Sequence, residues 1–239
     1  MSDTSTGGTT RSTRFHRTER ETVLIGDPRV ARIPVRDDGE RLVALDWMSG
    51  PAAGAARLVR AGLAERLAAA QAELPQGVRL HLSEGLRRAA DQQAIVDSYR
   101  ARLRHDRPDV ADAELDRLTS RYVAPLAVAP HVAGAAVDLT LADPDGHPLP
   151  MGSALDATPE ESGGACFFDA PGIGAEARHH RELLRRALGG AGLVNYPTEW
   201  WHWSFGDRYW AYRTGAGHAC YGPVPTEVAE PAGAAGVTA

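Results

Sequence analysis

The stretch at residues 129–141 reads APHVAGAAVDLTL. Over its second half, apolar side chains alternate with Ala136, Asp138 and Thr140, which is the two-residue period of a β-strand. The stretch therefore predicts a strand at residues 135–141 whose polar side chains share one face. The small residues at 134–136 would also let the backbone come close to a site.

His131 and Asp138 lie in this stretch and are seven residues apart. An odd separation along one continuous strand would place the two side chains on opposite faces. They converge only if His131 lies in a loop that enters the strand, and Pro130 and Gly134 favour such a bend. Taken alone, the pair also fits a loop His and an ordinary strand Asp.

Residues 198–205 read TEWWHWSF, and four of the five Trp residues of the chain fall within residues 200–210. Aromatic residues at this density favour a strand, so the segment alone fits a hydrophobic strand with an aromatic edge. Glu199 and His202 favour a second interpretation, in which a carboxylate and an imidazole face one site. Pro197 just upstream favours a bend that would turn Glu199 toward His202.

Together the two clusters suit a catalytic zinc ion. His131, Asp138 and His202 have the number and type of ligands that a catalytic zinc site uses, with one position left open for water. Only Asp138 adds negative charge, so the ion would lower the pKa of its water from about 16 to about 7. Glu199 could then take the proton of that water.

The residues of both clusters follow one family pattern, His131-x-x-Gly134-x-Ala136-x-Asp138 and then Glu199-x-x-His202. This pattern resembles the zinc D-alanyl-D-alanine dipeptidases of the vancomycin-resistance (VanX) type. The resemblance extends from about residue 43 to about residue 212. It implies that the two His and the Asp bind one Zn²⁺ per chain and that Glu199 is the general base and acid.

Two further residues follow from the same resemblance. The segment Glu84-Gly85-Leu86-Arg87 matches a family segment with an essential Arg, which implies that Arg87 stabilises the oxyanion of the tetrahedral intermediate. The segment at residues 151–156, MGSALD, matches a family loop whose Asp, here Asp156, would pair with the free ammonium of a dipeptide. Without the resemblance, Arg87 fits a surface ion pair and Asp156 a solvated loop residue.

The sequence departs from the family pattern near the expected substrate. Ala129 stands where the family usually has Ser, Leu86 and Arg88 replace a Tyr and a Pro, and Leu155 replaces an aromatic residue. None of these positions is a ligand or the base. The substrate therefore stays open between D-Ala-D-Ala and a related dipeptide with other side chains.

The remaining patterns predict the overall class. Helical spacing of apolar residues predicts helices near residues 59–74, 88–103, 109–120 and 180–188. Extended segments are predicted at residues 23–25, 30–35, 78–82, 199–205 and 209–212, with a long loop at 142–174. Because helices come first and strands cluster late, we expect an α+β fold with a small, mostly antiparallel sheet. The resemblance implies a core of the Hedgehog/DD-peptidase type.

Residues 1–21 and 222–239 are rich in polar, Gly, Pro and Ala residues, and we expect both segments to be disordered. Residues 22–221 are then predicted to form one domain, the zinc dipeptidase domain. The chain has only two Cys, Cys166 and Cys220, and both free thiols and a single disulfide fit the sequence.

Composition excludes several classes of protein. The chain has 239 residues, and its 26 basic and 31 acidic side chains give a net charge of −5. Every basic residue is Arg, which excludes P-loop, Schiff-base and kinase chemistry that depends on Lys. The negative charge argues against nucleic acid or an anionic membrane as the partner. No apolar run approaches the roughly 20 residues of a membrane span, and no export signal is visible, so we expect a cytoplasmic protein.

These observations predict a zinc-dependent dipeptidase whose partner is a small dipeptide. One alternative is a carboxypeptidase or endopeptidase that trims longer cell-wall peptides. A second alternative, from another class, is a zinc-stabilised binding module without catalysis. Glu199 and Arg87 argue against the second, because a structural zinc site needs neither. The oligomeric state is not predicted.

Overall fold

The structure, a computed structural model, describes residues 22–225. The α-helices within this range are α1 (Pro28–Ala31), α2 (Ala61–Ala72), α3 (Ala89–Asp106), α4 (Asp112–Thr119), α5 (Ala175–Gly190) and α6 (Arg208–Thr214). The β-strands are β1 (Leu42–Ala44), β2 (Leu58–Arg60), β3 (Arg79–Glu84), β4 (Ala136–Ala142), β5 (Val194–Asn195) and β6 (His202–Ser204). Short 3₁₀ turns lie at Gly54–Arg57, Leu126–Val128 and His131–Ala133.

The strand predicted at residues 135–141 is confirmed as β4, an inner strand of a four-stranded sheet. The strand order is β3-β4-β6-β5, and each neighbouring pair is antiparallel. β1 and β2 form a separate antiparallel pair. The predicted α+β class with a small, mostly antiparallel sheet is therefore confirmed.

The two faces of β4 have different partners. Val137, Leu139 and Leu141 are fully buried in the main hydrophobic core. α2 and α5 cover that core with their apolar stripes, which include Leu63, Leu67, Leu184 and Leu188. Asp138 and Thr140 alternate with the core residues and are also buried, so the polar face of the strand is covered by other parts of the chain.

Helices α3 and α4 lie in the part of the domain that faces Asp138. They pack on each other around Tyr99, Leu103, Leu115 and Leu118, which form a smaller hydrophobic cluster. The first turn of α3 and the residues just after α4 line a cavity that also reaches the polar face of β4. The fold thus places a cavity between the sheet and the α3–α4 pair.

The strand predicted at residues 209–212 is wrong, because this segment belongs to helix α6. The carboxylate of Asp207 accepts hydrogen bonds from the main-chain N–H groups of Tyr209 (2.8 Å) and Trp210 (3.2 Å), which caps the helix N-terminus. Gly215, with a φ of 75°, follows the last helical residue in the left-handed region. Both caps outweigh the strand preference of the aromatic residues.

Residues 30–35 were predicted to be extended, but Val30 lies in the short helix α1. Asp27 caps this helix by accepting from the N–H of Arg29 at 2.8 Å, and Pro28 occupies its first position. Residues 23–25 were also predicted to be extended, and they form no strand. The predicted strand at residues 199–205 is confirmed only for β6.

The predicted segment 1–21 and residues 226–239 of the predicted tail lie outside the described residues. Residues 222–225 of that tail are described, and they contact the domain. The Gly222 carbonyl accepts from Arg60 at 3.0 Å, and the Val224 N–H donates to the Val132 carbonyl at 2.8 Å. The domain boundaries at 22 and 221 stay a prediction.

Cys166 and Cys220 are both free thiols, so the disulfide that the sequence left open is not formed. Among residues 22–225, no helix combines the length and the apolar character that crossing a bilayer requires. The cytoplasmic location stays a prediction.

Candidate active site

His131 lies in the 3₁₀ turn that enters β4, between Pro130 and Gly134. Gly134 adopts a φ of 64°, which is left-handed, and its N–H closes the turn on the His131 carbonyl at 3.1 Å. A Cβ added to Gly134 would also approach Leu42 Cδ2 to 2.8 Å. This turn is the predicted bend. Because His131 lies in the turn and not on the strand, it can face the same site as Asp138 although the two residues are seven positions apart.

Asp138 on β4 and His202 on β6 are direct cross-strand partners in the antiparallel register. Their side chains therefore share one face of the sheet. Asp138 Oδ1 lies 3.0 Å from His202 Nδ1, and Asp138 Oδ2 lies 3.3 Å from His131 Nε2. His131 Nε2 and His202 Nδ1 are 3.1 Å apart. The three side chains are buried and meet at one point.

The hydrogen bonds fix which nitrogen of His131 faces this point. His131 Nδ1 lies 2.7 Å from the Gly85 carbonyl oxygen, which can only accept, so Nδ1 carries the proton. When the ring is neutral, the lone pair of Nε2 is therefore directed at Asp138 and His202. Metal-binding His residues are commonly oriented by such a bond from the other ring nitrogen.

The donor atoms fit a tetrahedral zinc ion. Zinc–ligand bonds of about 2.0–2.1 Å require neighbouring ligand atoms about 3.3 Å apart. The two ring nitrogens are 3.1 Å apart, which is close to that edge length. Each nitrogen also lies near a different oxygen of Asp138, His202 Nδ1 at 3.0 Å from Oδ1 and His131 Nε2 at 3.3 Å from Oδ2. Although burial opposes ionisation, the charge and hydrogen bond of a protonated His131, followed by the hydrogen bond of His202, lower the pKa of Asp138. The site therefore favours the carboxylate anion beside a cation, and a bound metal ion would take the place of the His131 proton.

Glu199 lies in the turn between β5 and β6. Its N–H donates to the Tyr196 carbonyl at 2.9 Å, and its own carbonyl accepts from the Asn195 amide at 2.9 Å. Its Oε2 is 3.9 Å from His202 Nδ1, and the residue is only 6% exposed. Burial and then the charges of Asp138 and Asp156 raise the pKa of Glu199 well above its ordinary value.

Arg87 follows β3 and is held by two side chains that the sequence reasoning did not single out for a role. Glu84 accepts from it in a bidentate pair, with Nε at 2.8 Å, and Gln92 Oε1 accepts from Nη1 at 2.9 Å. Gln92 is buried and donates in turn to the Ala124 carbonyl at 2.7 Å. Arg87 Nη2 lies 3.9 Å from Asp138 Oδ2, so the cation borders the three-residue centre.

Asp156 lines the same cavity from the loop between β4 and α5. It is the one non-glycine residue of the described chain with a positive φ, 62°, a conformation that Asp tolerates better than most residues. The residue is exposed as a whole, but protein crowds its carboxyl group. This desolvation, followed by the charges of Asp138 and Glu84, raises the pKa of Asp156 to about 7.

A cavity of about 160 Å³ joins these groups. All six sequence-predicted site residues line it: Arg87, His131, Asp138, Asp156, Glu199 and His202. The wall also contains residues that the sequence reasoning did not assign to a site, namely Glu84, Gln92, Tyr122, Tyr196 and Trp201. Trp201 belongs to the aromatic segment that contains Glu199, and Tyr196 lies just upstream of that segment, whereas Tyr122 comes from a distant part of the chain.

A second group with metal-ligand types, Asp143, Asp145 and His147, lies in the exposed turn after β4. Asp143 accepts there from the N–H groups of Asp145 and His147, both at 2.9 Å. These bonds are those of an Asx-type turn, which accounts for the three residues without a metal.

A family model described as D-ala-D-ala dipeptidase, of peptidase family M15, matches residues 53–218. The chain belongs to this family. The match covers most of the described domain and includes every predicted site residue. The D-Ala-D-Ala dipeptidase family is thus the one that the sequence pattern indicated.

Curated relatives agree with this assignment. A D-alanyl-D-alanine dipeptidase of Synechocystis sp. is 35% identical over 101 residues, which are 39% of this chain and 41% of the relative. The enzyme of the same name from Escherichia coli is 34% identical over 46% of this chain and 53% of the relative. The enzyme of the same name from Enterococcus faecalis is 36% identical over 42% of this chain and 46% of the relative. These matches span about half the length of the relatives.

Two solved structures are similar to this dipeptidase-family chain at lower sequence identity. VanYB in complex with D-alanine-D-alanine is 18% identical, with a TM-score of 0.42 over 74% of this chain and 84% of that chain. The LdcB LD-carboxypeptidase is also 18% identical, with a TM-score of 0.42 over 75% of this chain and 73% of that chain.

Proposed function

We propose that the protein is a zinc-dependent dipeptidase that hydrolyses a short D-amino-acid dipeptide such as D-Ala-D-Ala. The observation that carries this proposal is the meeting of His131, Asp138 and His202 within 3.3 Å of one another, beside the buried carboxyl group of Glu199. Membership of the D-Ala-D-Ala dipeptidase family supports the same activity.

His131 Nε2, His202 Nδ1 and one Asp138 oxygen would hold one Zn²⁺ per chain. When bound, the ion supplies Lewis-acid polarisation of the scissile carbonyl and makes water more acidic. The Gly85 carbonyl keeps His131 in the tautomer that binding requires. Asp138 contributes the one negative charge, so the centre remains cationic.

Glu199 is the proposed proton carrier. Its buried Oε2 takes a proton from the attacking water and later delivers it to the nitrogen of the leaving amine. Burial and the charges of Asp138 and Asp156 raise the pKa of Glu199, which makes its carboxylate a stronger base than a solvated Glu. The turn bonds of Tyr196 and Asn195 hold its backbone in place.

Arg87 is the proposed stabiliser of the oxyanion. Negative charge develops on the carbonyl oxygen as the peptide bond is attacked, and a fixed guanidinium in a water-poor site stabilises that charge. The bonds to Glu84 and Gln92 fix the guanidinium before substrate arrives. Preorganisation of this kind avoids a reorientation cost during the reaction.

We propose that Asp156 binds the free ammonium group of the substrate. The cavity wall contains four carboxyl groups, from Glu84, Asp138, Asp156 and Glu199, against the single guanidinium of Arg87. Asp156 stands apart from the zinc ligands in the sequence, and no described side chain pairs with its carboxylate in an ion pair. A free N-terminal ammonium would supply that partner, whereas an acylated one would leave the carboxylate unpaired.

A second candidate activity, carboxypeptidase or endopeptidase action on longer peptides, has one observation in its favour. Asp156 also lines a wider and more open cavity of about 570 Å³, together with Gly152, Ser153 and Glu161. A longer peptide could extend from the inner cavity into this one. Equal rates on free and N-acetylated substrates would favour the second candidate.

The test is a panel of D,D-, L,D- and L,L-dipeptides, each free and N-acetylated, with protein of measured zinc content. We expect turnover of free D,D-dipeptides and much slower turnover of the acetylated forms. Absence of cleavage across the panel in zinc-loaded protein would contradict the proposal and favour the non-catalytic binding module.

A further inference from the structure

Arg181 on α5 is a cation in the interior of the domain. It is 1% exposed and ranks among the largest fully buried side chains. Its hydrogen-bond acceptors are four main-chain carbonyl oxygens. Nε donates to Met151 at 2.8 Å, Nη1 to Phe167 at 2.6 Å and Phe168 at 3.0 Å, and Nη2 to Ala165 at 2.7 Å.

These carbonyls belong to the two limbs of one loop. Met151 is on the limb that enters the loop, and residues 165–168 form the limb that returns to α5. Residues 152–164 lie between the two limbs and include Asp156. A single guanidinium therefore joins both ends of the segment that presents the proposed ammonium-binding carboxylate.

The returning limb also contacts the turn that contains Glu199. The Phe168 N–H donates to the Pro197 carbonyl at 2.9 Å, and the Trp200 N–H donates to the Cys166 carbonyl at 3.0 Å. The indole of Trp200 donates to Ser153 Oγ at 2.9 Å, which ties the start of the segment between the limbs to the same turn. The loop is thus held both by Arg181 and by the Glu199 turn.

Burying a guanidinium without a carboxylate partner is costly, and a Met side chain would fill similar volume at a lower desolvation cost. The cation does what an apolar side chain cannot, because its planar fork holds several carbonyls in fixed directions at once. Closing both limbs also removes conformations that the intervening residues would otherwise sample.

We propose that Arg181 is a positioning residue: it closes the base of the 151–168 loop and thereby holds Asp156 at the mouth of the cavity. The inference rests on the proposed function in one respect, the role of Asp156 toward the substrate ammonium. Besides the loop carbonyls, the Arg181 guanidinium lies over the Trp200 ring, with Cζ 5.6 Å from the ring centroid. The proposed effect on Asp156 passes through the loop, and the ratio of free to acetylated substrate isolates it from any effect through Trp200.

The experiment compares Arg181→Met with Arg185→Met in zinc-loaded protein. Arg185 lies one turn further along α5, and its guanidinium stacks on the Phe168 ring at 4.5 Å, but its side chain is 49% exposed and pairs with Asp169. It contacts the same loop through side chains only. Arg181→Lys serves as a second variant that keeps the charge if Arg181→Met is insoluble.

Two readouts are measured. Hydrogen exchange of the amides at residues 152–164 should become about tenfold faster or more in Arg181→Met, while α2 and β4 keep their protection. The ratio of kcat/KM for free over N-acetylated dipeptide should fall about tenfold toward that of Asp156→Ala, mainly through KM. Zinc content should not change, and Arg185→Met should match the wild type in both readouts.

Wild-type exchange over residues 152–164, or a wild-type substrate ratio, in the Arg181 variants would overturn the inference. A wild-type enzyme that cleaves both substrates equally would instead contradict the proposed role of Asp156. In that case the exchange measurement still decides whether Arg181 anchors the loop.

Discussion

The Nε2 atom of His131 lies 3.1 Å from the Nδ1 atom of His202, although 71 positions separate the two residues along the chain. The Gly85 carbonyl keeps the His131 proton on the opposite nitrogen, so an electron pair of His131 faces the second imidazole. Asp138 approaches both rings with its two oxygens. A cation that all three side chains share would satisfy this arrangement.

Replacing Glu199 with Gln should lower kcat by about 10² or more, because the side chain can no longer carry a proton. Zinc content should stay at the wild-type value, since Glu199 is not one of the proposed ligands. The metal-free variant should unfold at the same or a higher temperature, because a buried carboxyl group is replaced by a neutral amide. Unchanged kcat would remove Glu199 from the mechanism.

Replacing Gln92 with Leu should lower kcat by about tenfold through loss of the bond that orients Arg87. The Ala124 carbonyl also loses its amide donor, which should cost about 1–3 kcal/mol of unfolding free energy. The control is Gln93→Leu, because Gln93 is exposed and bonds only to Asp97, at 2.8 Å. Equal kcat values for the two variants would argue that Gln92 has no influence on Arg87.

Replacing Gly134 with Ala should destabilise the protein by about 1–3 kcal/mol, because an L-residue is strained at a φ of 64° and its Cβ approaches Leu42. Gly146→Ala is the matched control, since Gly146 has a φ of 87° but open space around its Cβ position. In urea unfolding, Gly134→Ala should lose more stability than Gly146→Ala and also bind zinc more weakly. Equal losses would mean that the crowding at Gly134 is harmless.

Burial raises the pKa of the Cys166 thiol to about 11. The folded state therefore favours the neutral thiol. The resulting contribution to the free energy of unfolding is fully present below the unfolded-state pKa near 9. As pH rises from about 9 through about 11, the contribution is lost, to a maximum of about 3 kcal/mol. Urea unfolding at pH 8 and pH 10.5 should show a smaller loss in Cys166→Ala than in the wild type. Equal losses of stability in the variant and the wild type would contradict a raised pKa for Cys166.

The bend at His131 could be predicted because Pro130 and Gly134 restrict the backbone locally. The pairing of Asp138 with His202 could not be read from local pattern, since it depends on a strand register set by tertiary packing. Only the family resemblance indicated that Asp138 and His202 share one site. Residues 209–212 show the opposite case, in which aromatic composition predicted a strand and the Asp207 cap produced a helix.

The supporting residues were harder to recognise. Glu84 is three residues before Arg87, and a strand continued over both residues would place the two side chains on opposite faces. The strand ends at Glu84, and the chain beyond it brings Arg87 back to the Glu84 carboxylate. Arg181 did leave a signal, because it shares the i, i+3, i+4 stripe of Ala177, Leu184 and Leu188 on α5, all of them buried. A charged residue within an apolar stripe indicates a buried charge with a structural or positioning role.

The most direct test of the central claim is zinc stoichiometry measured by elemental analysis on purified protein and on two single variants. The account predicts one zinc per chain in the wild type, loss of that zinc in His202→Ala, and full retention in His147→Ala, whose residue belongs to the exposed turn after β4. Zinc that stays in His202→Ala and leaves in His147→Ala would contradict the account.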